Sequence, residues 1–253
     1  MKLPSLRRVG LLMRHDVAHH AKEMRNALIT ISGVVFGLFL LAAATGSRGF
    51  HASTFSNVLL IGGFVVSSMG FSELRDEKTG IHYLVLPGSA LEKYLAKLVL
   101  TSAGWTVAIV ALYSITTVVA AGIASVLFDH TPGIWVPADR ASWMTIATYL
   151  AVQPVLLFGS VYFRQTAFLK TAIAAIATGL SLGLIYLVAF RLIFAPAFTG
   201  LFTPVVNLRI HAADPGVAGL VDALDTVRKI AMWAAMPLFF AALGVLRLRE
   251  TEV

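Results

Sequence analysis

The sequence contains no cysteine, which excludes disulfides, thiolate metal sites and cysteine nucleophiles. It is also poor in charge. Only 13% of its 253 residues are Asp, Glu, Lys or Arg, about half the ~25% of an ordinary soluble domain, too few to cover a solvated surface. It has no GxxxxGK[ST] loop to cradle ATP phosphates, no HExxH and no GxSxG elbow, so nothing in it supports catalysis. No ionisable residue falls at mid-depth of an apolar run. That argues against a proton- or sodium-coupled carrier, against a voltage sensor and against an intramembrane enzyme.

What is present is apolar sequence, at 58% hydrophobic residues. Runs free of Asp, Glu, Lys and Arg cover 26–47, 49–72, 98–128, 141–163, 171–190 and 230–246. A hydrocarbon core of about 30 Å takes ~20 residues of helix. Lipid cannot hydrogen-bond the backbone, so such runs are helices or barrel strands. Runs such as FGLFLLAAA lack the alternation of a barrel strand. The expected fold is all-α and polytopic, with six transmembrane helices. Residues 1–25 are expected as an amphipathic interfacial helix, because Leu6, Val9, Met13, Val17 and Met24 share one face and basic residues occupy the others; packing on a partner is the alternative. They are too polar for a signal peptide. Residues 26–253 form the transmembrane domain. Within it, 192–208 is apolar but broken by Pro196, Gly200 and Pro204, so 191–229 reads as a re-entrant segment; a seventh span is the alternative.

The net charge of +7 is topological. With an inside N-terminus, 14 of the 20 Lys and Arg lie on inside segments and six on outside ones. This is the bias expected when both termini are cytoplasmic, and no nucleic-acid partner is needed to explain it. His15 and His19 have helical ligand spacing, but two histidines among arginines make a poor metal site, and no metal is expected. Asn57, Ser67, Ser68, Thr178, Ser181 and Tyr186, with Thr54 and Gln153, are polar within the apolar runs. They either bond neighbouring helices or line a substrate cavity. Small residues recur at Gly33 and Gly37 in the first span, and at Ala175, Gly179 and Gly183 in the fifth, spacings that permit close helix packing.

The densest charge is in 71–98, FSELRDEKTGIHYLVLPGSALEKYLAKL, with eight of the 33 formal charges. Glu73, Arg75, Asp76, Glu77 and Lys78 suggest a short helix or turn ended by Gly80 as C-cap. Pro87-Gly88 marks a bend. Ser89 with Glu92 forms a capping-box pattern opening a second helix. The residues alone fit both a docking element and an ordinary hairpin shaped for topology.

This segment resembles the intracellular loop of ABC type-2 transporter permeases, in which a charged stretch ending in Gly precedes an apolar strip, Pro-x-Ser and a Lys-bearing helix. Arg75, Glu77, Gly80, Pro87, Ser89 and Lys97 match that pattern; Gly88 replaces a common alanine. The resemblance implies the transmembrane subunit of a bacterial exporter in the cytoplasmic (inner) membrane, not itself an enzyme. Separate P-loop ATPase subunits, carrying ATP and Mg, would dock on 71–98, with Glu73, Arg75, Asp76, Glu77, Lys78, Gly80 and Pro87 in the coupling element. A second permease, identical or homologous, would pack on the first and fifth spans, and lipid would surround the pair. A membrane scaffold or immunity protein that transports nothing is the alternative.

Overall fold

The computed structural model describes residues 4–46, 50–75, 77–128, 133–163, 167–193 and 215–252. Most of these residues are helical, with no strand among them. Helix α1 spans Leu6–Thr45 and α2 Phe50–Ser68; a 3-10 turn at Ser72–Arg75 leads to α3, Glu77–Val85. Helix α4, Ala90–Val99, passes through a π-turn at Leu100–Gly104 into α5, Trp105–Leu127. Helices α6, Arg140–Tyr162, and α7, Ala167–Ile193, come next. Finally α8, Pro215–Ile230, runs through a second π-turn, Ala231–Ala235, into α9, Met236–Glu252. Six of these helical stretches are long and apolar enough to cross a membrane.

Helices α2, α5 and α6 form the centre. Phe55, Leu59, Trp105, Ile109, Tyr113 and Tyr149 interlock there with Val35 of α1. Glycines allow the close approach: a Cβ on Gly62 would strike the Trp105 ring, and one on Gly63 would overlap Tyr149. The π-turn between α4 and α5 is held from outside itself, because the Tyr149 hydroxyl donates to Thr101 O at 2.5 Å. Such turns free a backbone group from the helical ladder, and here a side chain takes it up. A second core joins Phe71, Tyr83, Tyr94, Leu157 and Leu248 near the start of α4. Helix α7 lies at the periphery, and its apolar window has no buried residue.

Two sequence expectations change at the charged end. Gly80 does not cap a helix; it lies inside α3, and the break comes earlier, between the 3-10 turn and α3. The physical reason is that Thr79 Oγ1 donates to Glu73 O at 2.8 Å. That bond folds the start of α3 back on the turn, leaving Gly80 buried 3.6 Å from the same carbonyl, measured from an added Cβ. Helix α1, for its part, is continuous through residues 25–27, where the sequence predicts an interfacial segment handing over to the first span. Its 40 residues extend ~60 Å, twice a hydrocarbon core of about 30 Å. Gly46 ends it with φ 64°, its N–H reaching Ala42 O and Ala43 O, as a left-handed cap does. The re-entrant expectation for 191–229 rests mainly on residues outside those described; its last part is helix α8, which continues through the second π-turn into α9.

Candidate functional site

At the charged end, the start of α4 is built as its spacing predicts. Ser89 Oγ accepts from Glu92 N at 3.3 Å, and Glu92 Oε2 accepts from Ser89 N at 2.9 Å. Glu92 then does more than cap its own helix. Its Oε1 accepts from Ser5 N at 2.8 Å, and Arg8 Nη1 stands 3.9 Å from Oε2. One carboxylate thus satisfies orphan N–H groups at the starts of both α4 and α1, a charge-assisted arrangement stronger than a neutral cap.

One turn deeper lies a buried ion triad. Lys97 Nζ is 3.1 Å from Asp16 Oδ2 and 2.7 Å from Glu73 Oε1. The three side chains are 4%, 8% and 12% exposed respectively. They come from α4, α1 and the 3-10 turn, so one ammonium ties three elements together. His20 closes the cluster, with Nε2 3.8 Å from Glu73 Oε1 and Nδ1 3.2 Å from Asp16 O. The carbonyl can only accept, so Nδ1 carries the proton. Tyr83 of α3 lies beneath both lysines, its ring centre 5.4 Å from Lys97 Nζ and 5.7 Å from Lys93 Nζ, within cation–π range. Charges this deep need partners, and these are mutually supplied.

The buried face of α1 coincides only in part with the apolar stripe read from the sequence. Val9, Leu12 and Asp16 are buried against α4 and Met13 packs partly against the same cluster, whereas Leu6, Val17 and Met24 are exposed. The two faces differ by roughly 75° around the helix. Lys97 explains the rotation, because the stripe that packs on α4 must carry a carboxylate. Asp16 was missed for that reason, although its position seven residues after Val9 and four after Leu12 is a legible signal.

Helix α3 forms the outer surface of this end. Tyr83 is buried inward. Ile81 and Val85, one turn apart, are 58% and 77% exposed, flanked by exposed His82 and Pro87. Of the residues expected to contact an ATPase, Glu73 faces inward onto Lys97, Gly80 is buried and Pro87 is exposed at the bend. Asp76, and the side chains of Arg75, Glu77 and Lys78, lie outside the described residues.

The candidate cavity residues do not converge. Ser67 is fully buried and bonds a neighbouring helix: Gln153 Nε2 donates to its Oγ at 2.5 Å, and that hydroxyl donates to Gly63 O at 2.6 Å. Ser68 is buried and donates to Val65 O. Asn57 is exposed on α2, and Thr178, Ser181 and Tyr186 are exposed on α7. Gly33, Gly37, Ala175, Gly179 and Gly183 are exposed as well, and an added Cβ on any of the four glycines meets nothing within 4 Å.

The opposite end carries an aromatic cluster of Phe39, Phe50, Phe55, Tyr113 and Trp135 around His51. His51 precedes the span Ser53–Leu74. Its Nε2 donates to Gly133 O, and its Nδ1, 3.3 Å from the Tyr113 hydroxyl, is left to accept. Burial lowers the His51 pKa, partly offset by the bond to Gly133. An unfolded histidine therefore takes up a proton before the folded one does. The stabilisation is complete above the unfolded value of about 6.5 and drains as pH falls from there toward the lowered folded value. The melting temperature in detergent is expected to fall more between about pH 7.5 and 5.5 in the wild type than in His51→Gln, which keeps a donor and an acceptor but does not titrate. An identical fall in both would remove His51 as the cause.

Comparison with known proteins finds no matching family model, curated protein or solved structure. The class defined by the fold itself is that of an α-helical, multi-pass membrane protein, with six helices among the described residues long and apolar enough to span.

Proposed function

We propose that this chain is the transmembrane subunit of an ATP-binding cassette exporter, driven by separate P-loop ATPase subunits that dock on the end formed by the 3-10 turn and α3. The observation that carries the reading is α3 itself. It is a nine-residue helix between two spanning helices, and it presents the exposed apolar pair Ile81 and Val85 beside a charged stretch. Exposed apolar side chains ringed by polar ones suit a protein partner. Behind them, the Asp16–Lys97–Glu73 triad fastens the docking element to α1 and α4. A push on α3 would then pass into the first span as well as the second and third. In this reading both termini are cytoplasmic, in a bacterial inner membrane. The first five turns of α1 lie at and beyond the headgroups, beside α4. A second permease copy or homologue would cover the exposed small residues of α1 and α7, and Arg75, Asp76, Glu77 and Lys78 would add charge contacts to the ATPase.

The test is co-purification. Affinity-tagged protein, solubilised from its native membrane, is expected to bring down a soluble ATPase bearing a GxxxxGK[ST] loop, and that ATPase is expected to hydrolyse ATP faster in the complex. Recovery of the intact membrane protein with no nucleotide-binding partner would favour the scaffold or immunity reading instead.

A further inference from the structure

A groove of about 360 Å³ runs along α1 from Val17 to Ser32, where it meets α5. Ala21, Met24, Leu28 and Ile29 of α1 and Leu112 of α5 make its wall, with Arg25 and Ser32 as the polar groups. The groove is an open slot on the helix surface with a mostly apolar lining, and does not enclose its contents. The charge pattern sets its position relative to a bilayer. Arg25 is the last charge before the run 26–47, so it marks the headgroup level of α1, and Leu28, Ile29 and Leu112 stand among the acyl chains.

Arg25 makes no ion pair among the described residues. Its Cα–Cβ bond tilts toward the helix N-terminus, out of the hydrocarbon and toward the headgroups. Lys22, one turn away, adds a second cation on a neighbouring face. The nearest carboxylate in sequence, Glu23, projects about 160° away around the helix. An apolar slot therefore continues into a cationic mouth, and the two halves fall at the two depths at which a phospholipid carries its chain and its phosphate.

We propose that this groove is a binding site for one anionic phospholipid, with an acyl chain against Leu28, Ile29 and Leu112 and the phosphate on Arg25. The site stands on the membrane placement of α1 and is independent of the transport reading. Lipid held there would wedge between α1 and α5, the first and third spans.

The experiment uses the purified full chain in detergent, with phosphatidylglycerol or phosphatidylcholine as probe and native mass spectrometry as readout. Wild type is expected to retain phosphatidylglycerol at least roughly fivefold better, the effect of one interfacial cation. Arg25→Glu should bring the ratio to about one, and Leu112→Trp, which fills the slot, should lower retention of both lipids. Both side chains are at least partly exposed, and melting temperatures confirm folding. Equal retention of the two lipids by wild type would overturn the site. So would an unchanged ratio in Arg25→Glu, or full retention in Leu112→Trp. Displacement of phosphatidylglycerol by millimolar inorganic phosphate would also overturn it, since the mouth would then be a free-phosphate site to which the groove contributes nothing.

Discussion

Replacing Lys97 by Met is expected to destabilise the protein by about 3–5 kcal/mol, the usual cost of removing one partner from a buried ion pair. Met keeps most of the volume, so packing is not the cause. The cause is electrostatic: Asp16 and Glu73 remain buried without the ammonium that bonds each of them, at 3.1 and 2.7 Å. The two carboxylates then repel one another across the gap the ammonium filled, and their separation loosens α1 from the 3-10 turn. Thermal unfolding in detergent measures the loss. Neutralising the acids as well, in Asp16→Asn/Glu73→Gln/Lys97→Met, should recover most of it, because well-packed neutral groups replace buried triads at little cost. If Lys97→Met melts at the wild-type temperature, the triad does not hold these elements together. The stability measurement stands apart from any partner. If the triad is also the route by which force reaches α1, Lys97→Met should uncouple ATP hydrolysis from transport while leaving the ATPase bound.

The second large effect is expected at the surface of α3. Ile81→Asp with Val85→Asp should weaken binding of the soluble partner by at least roughly 30-fold, the ~2 kcal/mol of an interface hot spot. Insertion and melting temperature should be unchanged, because both side chains are exposed in the isolated chain. Reversing charge at Arg75 and Glu77 should abolish transport with insertion and dimerisation intact. Full ATP-driven export by either variant would sink the assignment of this end as the coupling element. The two sets are distinguishable: the aspartates remove the partner, whereas charge reversal tests whether the neighbouring charges contribute to the same contact.

The architecture was largely legible in the sequence because membrane helices announce themselves in one dimension. A run of 17 to 31 residues without charge reports its own environment, and six such runs coincide with the six candidate spans among the described residues. The capping box at Ser89 and Glu92 was legible for a similar reason: both its hydrogen bonds lie within four residues. The candidate site was less so. Glu73 reads as a surface charge until Lys97, 24 residues away, is seen to meet it. The apolar strip from Ile81 shows its two faces only once the fold makes Ile81–Val85 the end of a helix, with Tyr83 inward and Ile81 outward. His51 lacked any local signal, since its partners come from α5 and from residue 133.

By itself, then, the amino-acid order determined the helical class, the positions of the six apolar runs and the place of the charged segment, since each depends on local composition and on the intolerance of lipid for unpaired backbone and charge. The tertiary structure alone decided which charges of that segment face inward and which face of α1 packs on α4. It also made the first span one body with the segment through Asp16. Those outcomes turn on pairings between groups distant in sequence, and a buried charge is stable only where the fold brings its counter-charge within hydrogen-bonding distance.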